Sequence, residues 1–172
     1  SNRIAQSLLD YYEMDSELLA PVVPTFGDQG TLNAEAAALL HIAAGTPVCY
    51  RAGDQPNNAF SLNVLEPGEI AATAGTSGVV YGITGKAAFD SRSRVNPFVH
   101  VNHLPKTPRY GILMCLNGTG ILNSWLRKNF FDNAAYEEIN AAAEKAEPGS
   151  EGVFCYPFGN GAERILENKN PG

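Results

Sequence analysis

Asp54 and Gln55 lie in the stretch YRAGDQPNNAFSLN, which begins at Tyr50 and passes from an apolar run into helical spacing. A carboxylate at such a corner can cap the helix by accepting orphan amide hydrogens at Asn57 or its neighbour. It can also take a proton from a bound hydroxyl. The helix dipole holds it ionised, and open α/β sheets bind ligands at the carboxyl ends of their strands. The two roles are compatible and both stay open. Gly75-Thr76-Ser77-Gly78 is the second candidate. Two glycines let backbone approach a phosphate closely and two hydroxyls add donors, although the same residues make an ordinary hairpin turn. No P-loop lysine accompanies them. In CLNGTGILNSW, Asn117-Gly118 ends an apolar run and Gly120 starts a helix. Amides there could face a nucleotide, or the glycines could serve close helix–sheet packing.

The remaining polar candidates are weaker. His100 and His103 would face opposite ways on a strand and have no carboxylate close in sequence, so they read as structural and no metal site is assigned. Glu163 and Arg164, beside the glycines of GNGAERI, form an ion pair or line a cleft. Trp125 reads as core. Cys49, Cys115 and Cys155 are widely spaced and odd in number, which argues against a zinc site or a disulfide framework and for reduced, buried thiols.

Certain elements must position these residues. Arg3 to about Leu19 has helical spacing, and TLNAEAAALLHIA is a second helix with Thr31 or Asn33 as its cap. TPVCYRA reads as a buried strand, and QPNNAFSLNVL as a helix with Pro56 in its first turn. EIAATAGTSGVVYGITG is a hairpin around GTSG. A loose, charged, proline-containing stretch follows. RYGILMCLNG is a strand, TGILNSWLRKNFF and NAAYEEINAAAEKA are helices, and GVFCYPF is a last short strand. Alternating helices and strands with one hairpin predict an α/β fold with a mixed sheet and flanking helices.

The chain has 172 residues, 44% hydrophobic and 17% charged, as expected of a globular protein. A net charge of −6 argues against a nucleic-acid partner, which needs a basic face. It leaves room for a phosphate ligand held by amides, a helix terminus or Mg²⁺. No apolar run is long enough to cross a bilayer, so no membrane partner is expected and a cytoplasmic location is.

LAPVVPTFGDQGTLNAEAAALLHIAAGTPVCYRAGDQPNNAFSLNVLEPGEIAATAGTSGVVYGITG resembles the central part of the FGGY carbohydrate kinases, most of all their xylulokinases. LNGTGILNSWL and YPFGNGAERILENKNPG resemble later elements of the same family. The resemblance implies a ribonuclease H-like, actin-type ATPase fold, here incomplete. Residues 1–66 would end the N-terminal sugar-binding domain, and 67–172 would start the C-terminal ATP-binding domain. It implies Asp54 as the general base, Gln55 as a sugar contact, and Gly75, Thr76, Ser77, Gly120 and Ser124 around ATP, with Mg²⁺ accompanying the nucleotide. The implied reaction is phosphorylation of a pentulose, D-xylulose to D-xylulose 5-phosphate. A kinase for another sugar or polyol and a non-catalytic binding or scaffold piece are the alternatives. Glutamine follows Asp54 where the family commonly has asparagine, and YRAGD replaces a run of glycines. The family's N-terminal phosphate strand and C-terminal adenosine loop have no counterpart, so the chain reads as the middle of a kinase. Such a piece would expose apolar surface and self-associate, and a homodimer is expected.

Overall fold

The computed structural model describes residues 4–169. The chain divides into two compact units: one holds residues up to Asp54 together with 104–106, the other holds 55–103 and the residues from 107 onward.

The first unit carries two short helices. α1 (Gln6–Tyr11) is followed by a 3₁₀ turn, Ser16–Leu18, and Glu13 between them takes a positive φ of 53°. The single long helix expected to begin at Arg3 is therefore broken; Arg3 itself lies outside the described residues. α2 (Ala34–Leu40) is capped by Asn33, whose side chain accepts from the Ala36 amide at 2.8 Å, and ends on His41 in the left-handed region. Of the two expected caps, Asn33 is the one used. TPVCYRA pairs back on residues 25–32 through backbone hydrogen bonds, among them Gly27 to Cys49 and Val48 to Gly30, and through two isolated bridges, Phe26 with Tyr50 and Thr31 with Pro47, without forming a regular strand. Gly27 and Gly30 on the opposing stretch have φ of 137° and 108°, which breaks the ladder. This segment alternates half-buried and exposed residues instead of forming the buried strand expected, and Cys49 is exposed.

The second unit is a four-stranded sheet of β1 (Ile70–Ala74), β2 (Gly78–Thr84), β3 (Asn96–Val99) and β4 (Tyr110–Leu116), in the order β1-β2-β4-β3. All three pairings are antiparallel, so the sheet is not the mixed one expected. Alternating helices and strands suggested parallel crossovers, but every pairing here closes through an antiparallel ladder. β1 and β2 form the predicted hairpin, with Ala74 opposite Gly78 across the Gly75–Ser77 turn. β3 was hidden in the loose charged stretch, because Pro97 and a four-residue length mask the strand signal. No ladder partner among the described residues makes GVFCYPF a strand. Val153, Phe154 and Tyr156 there are 74%, 79% and 71% exposed.

Helix α3 (Asp54–Ser61) packs its buried Ala59 into the unit's core with Ala71, Tyr81, Ile83 and Leu113. Tyr81 and Ile83 share a face because side chains alternate along a strand. A polar clasp joins the segment after α3 to the turn after β3. The buried His100 donates from Nε2 to the Val64 carbonyl at 3.1 Å and accepts the Tyr81 hydroxyl at Nδ1, 3.2 Å away. The Asn102 amide donates to the Leu65 carbonyl. His103 meets the Arg109 amide at 3.2 Å, so both histidines have structural partners. Desolvation holds His100 below its ordinary pKa, against the opposing pull of the Val64 hydrogen bond, and pushes the Tyr81 phenol up to about 12.

A histidine kept neutral when folded binds fewer protons than in the unfolded chain, so its contribution is present above the unfolded pKa and is lost on acidification. Melting temperature should therefore fall as pH drops through the histidine range below about 6.5. That slope should flatten in His100→Gln, as thermal unfolding at pH 5 to 7.5 would report.

Helix α4 (Thr119–Phe130) begins after Gly118 and carries Arg127 and Lys128 in its last turn, where they complement the dipole. Arg127 donates to the Ala134 and Asn133 carbonyls and lies over the Tyr136 ring, closing the turn into α5 (Tyr136–Ala143). Trp125 is 51% exposed and meets Phe130 edge-on, so it is not core in this chain. Cys155 is exposed and Cys115 half-buried, contrary to the buried thiols expected. The expected exposed apolar surface is present, and includes Phe130 and Phe154.

Candidate functional site

Asp54 is the first residue of α3, not the residue before it, and it is exposed; Gln55 follows it, half-buried. Pro56 is buried in the first turn, where a missing amide hydrogen costs no helical hydrogen bond. Asp54 thus adds negative charge at the positive end of the helix dipole.

The β1–β2 turn and the start of α4 are built against each other. The Gly120 amide donates to the Gly75 and Thr76 carbonyls at 3.0 and 3.1 Å, and the Ile121 amide donates to Thr76 at 3.3 Å. A Cβ on Gly120 would lie 2.4 Å from the Gly75 oxygen, and one on Gly78 would lie 2.3 Å from the Thr119 hydroxyl. At Gly120 the atoms in the way are backbone, so only glycine fits there, whereas at Gly78 a turn of the Thr119 side chain would be needed. Gly75, Thr76 and Gly120, separated widely in sequence, are thereby brought together, with Gly75 and Thr76 exposed and Ser77 half-buried. Ser124 is exposed one turn along α4 from Gly120, on the same face. Two of the amides at this helix start are spent on the turn's carbonyls, which makes close packing a role of Gly120 in its own right. Gly75 and Thr76 of the turn remain exposed in this assembly.

The other side of the corner is held by residues 157–163. Glu163 is fully buried and accepts the Asn117 amide at 3.1 and 3.3 Å through its two oxygens. Arg164 reaches the Asn96 side chain. Neither the ion pair nor the cleft-lining role considered for these two residues describes them. Glu163 lies 46 positions from Asn117, a separation that carries no local signal. A pocket of about 270 Å³ opens beside the corner, lined by Leu122, Trp125, Tyr156 and Asn160 among others. Among the described residues no group of three or more His, Cys, Asp or Glu gathers as a metal cage.

No family model matches the chain. It is 29% identical over 161 residues to a gluconokinase of Bacillus licheniformis, covering 87% of this chain and 30% of that protein. It is 25% identical over 142 residues to a xylulose kinase of Staphylococcus epidermidis, covering 83% of this chain and 28% of that one. The crystal structure of xylulose kinase from Rhodospirillum rubrum superposes with a TM-score of 0.76 at 25% identity, over 90% of this chain and 31% of that chain. The chain spans about 30% of the length of the curated relatives it matches. Its structural neighbours are sugar kinases with the actin-like ATPase fold, and its homologues, gluconokinase and xylulose kinase among them, are FGGY carbohydrate kinases.

Proposed function

We propose that this chain is part of an ATP-dependent carbohydrate kinase, in which the Gly75–Ser77 turn holds the nucleotide phosphates and Asp54 deprotonates the attacking sugar hydroxyl. The supporting observation is the close seating of Gly120 on Gly75 and Thr76, which joins the two segments named for the nucleotide from sequence, together with homology to gluconokinase and xylulose kinase. Residues 1–66 would complete the sugar domain, and 67–172 would open an ATP domain of ribonuclease H-like topology. The whole protein would be a cytoplasmic homodimer.

Phosphoryl transfer asks a protein mainly to position groups and to stabilise charge. Turn amides and the Thr76 and Ser77 hydroxyls donate to phosphate oxygens, and rigid packing on α4 keeps them aimed. Gln55, beside the base, offers an amide that both donates and accepts, suited to a neighbouring sugar hydroxyl. The Thr76 and Ser77 hydroxyls are hard oxygen donors compatible with Mg²⁺ bound to the nucleotide phosphates. Once bound, Mg²⁺ neutralises charge on the transferring group.

The acceptor proposed is a pentulose, D-xylulose. D-gluconate is the second reading, because a gluconokinase is among the relatives at 29% identity. Coupled ADP-release assays on the full-length protein with D-xylulose, D-gluconate and glycerol should give ATP turnover that depends on D-xylulose. Turnover with gluconate alone would replace the acceptor. The absence of sugar-dependent turnover across a wider polyol panel would sink the kinase reading in favour of a binding or scaffold role.

A further inference from the structure

Glu163 is a carboxylate with no exposed surface, in a chain where burying charge is expensive unless hydrogen bonding compensates. Both its oxygens are spent on one backbone amide, that of Asn117, at the point where β4 ends. The same short segment grips the corner at three further points. The Asn117 side-chain amide donates to the Ala162 carbonyl at 3.2 Å, and the Asn160 amide donates to the Asn117 carbonyl at 3.4 Å. The Pro157 carbonyl occupies the space where a Cβ on Gly118 would stand, 2.0 Å from it. Arg164 then ties the segment to Asn96, the first residue of β3.

From Asn117 the contacts run on without a gap. Gly118 immediately precedes α4, and two residues later Gly120 donates to Gly75 and Thr76. We propose that Glu163 is a positioning residue for nucleotide binding, fixing through Asn117 the corner on which the Gly75–Ser77 turn rests. This inference depends on the nucleotide-binding reading of that turn. Removing the carboxylate leaves the half-buried Asn117 amide without its acceptor and takes away one of the four grips that residues 157–163 have on the corner. The turn then loses part of its fixed support, although none of its own residues has changed.

The test uses the full-length protein, Mg-ADP titration calorimetry and steady-state kinetics with both substrates. Glu163→Ala should weaken Mg-ADP binding and raise the KM for ATP about 10-fold, as expected for one stranded, half-buried donor. The KM for sugar should not move. Glu163→Gln, whose carbonyl oxygen can still accept from Asn117, should recover most of the loss. Gly118→Ala, which displaces the Pro157 carbonyl from the opposite side, should reproduce the alanine phenotype even where Glu163→Ala folds poorly. A purely architectural role predicts lower melting temperature with unchanged nucleotide affinity in the folded fraction, or equal shifts in both KM values; either result overturns the proposal. Wild-type protein that fails to bind Mg-ADP overturns the nucleotide reading, and this inference with it.

Discussion

Asp54→Asn in the full-length protein should lower kcat by about 10²–10⁴-fold while melting temperature stays within a degree or two of wild type. Two magnitudes separate the effects. Loss of a general base raises the barrier by about 3–5 kcal/mol. Loss of the negative charge at the first residue of α3 removes only about 0.3–1 kcal/mol of dipole interaction at an exposed site. Asparagine is isosteric with aspartate, so the variant removes the charge without changing the shape of the helix start. KM for ATP should be unaffected, because the variant does not touch the Gly75–Ser77 turn. Retained turnover in Asp54→Asn would remove Asp54 from the chemistry and leave it a helix-start residue.

The second large effect is expected at Gly120. An alanine there would put its Cβ 2.4 Å from the Gly75 oxygen, 3.1 Å from the Gly75 carbonyl carbon and 3.2 Å from the Thr76 Cα. These are backbone atoms, so no rotamer change relieves the clash and either the turn or the start of α4 must move. Overpacking of this kind costs about 1–3 kcal/mol of stability. If the Gly75–Ser77 turn holds phosphates as proposed, a displacement of about 1 Å in it costs up to about 100-fold in kcat/KM. Gly120→Ala should therefore show a loss of kcat/KM for ATP on the order of 100-fold and a lower melting temperature. Gly82→Ala is the matched control, since its Cβ would meet only the Ile70 side chain at 3.7 Å, an ordinary contact. Equal behaviour of the two variants would mean that the turn and α4 are not coupled as their hydrogen bonds indicate.

Several parts of this architecture could be read from sequence because their signals are local. GTSG between two apolar runs marks the β1–β2 hairpin, and the glycines before ILNSWL mark the β4–α4 corner. Asn33 three residues before the Ala36 amide is a capping pattern that needs no tertiary knowledge. What escaped was set by partners far away in the chain. The antiparallel course of the whole sheet depends on β2–β4 and β3–β4 pairings that no window of residues contains. Pro97 and its charged neighbours concealed β3, whose pairing with β4 closes the order β1-β2-β4-β3. The Glu163 carboxylate read as half of an ion pair or as a cleft-lining charge, and only its burial against the Asn117 amide assigns it a partner. Trp125 and Cys155 failed for the opposite reason: composition implies burial, yet in this chain nothing described covers them.

The sheet stops at β1, whose outer side has no described strand beside it and whose residues Ile70-Ala71-Ala72-Thr73-Ala74 carry neither charge nor proline. Ile70, at its start, is 63% exposed. Native proteins guard such a border with lysine, proline or a bulge, none of which is present here. Taken as an isolated polypeptide, this seam is open to zippering with a neighbouring molecule's backbone. Of the sheet's two edges, β3 carries Pro97 and β1 carries no such guard, so self-association of the piece is expected to start along β1.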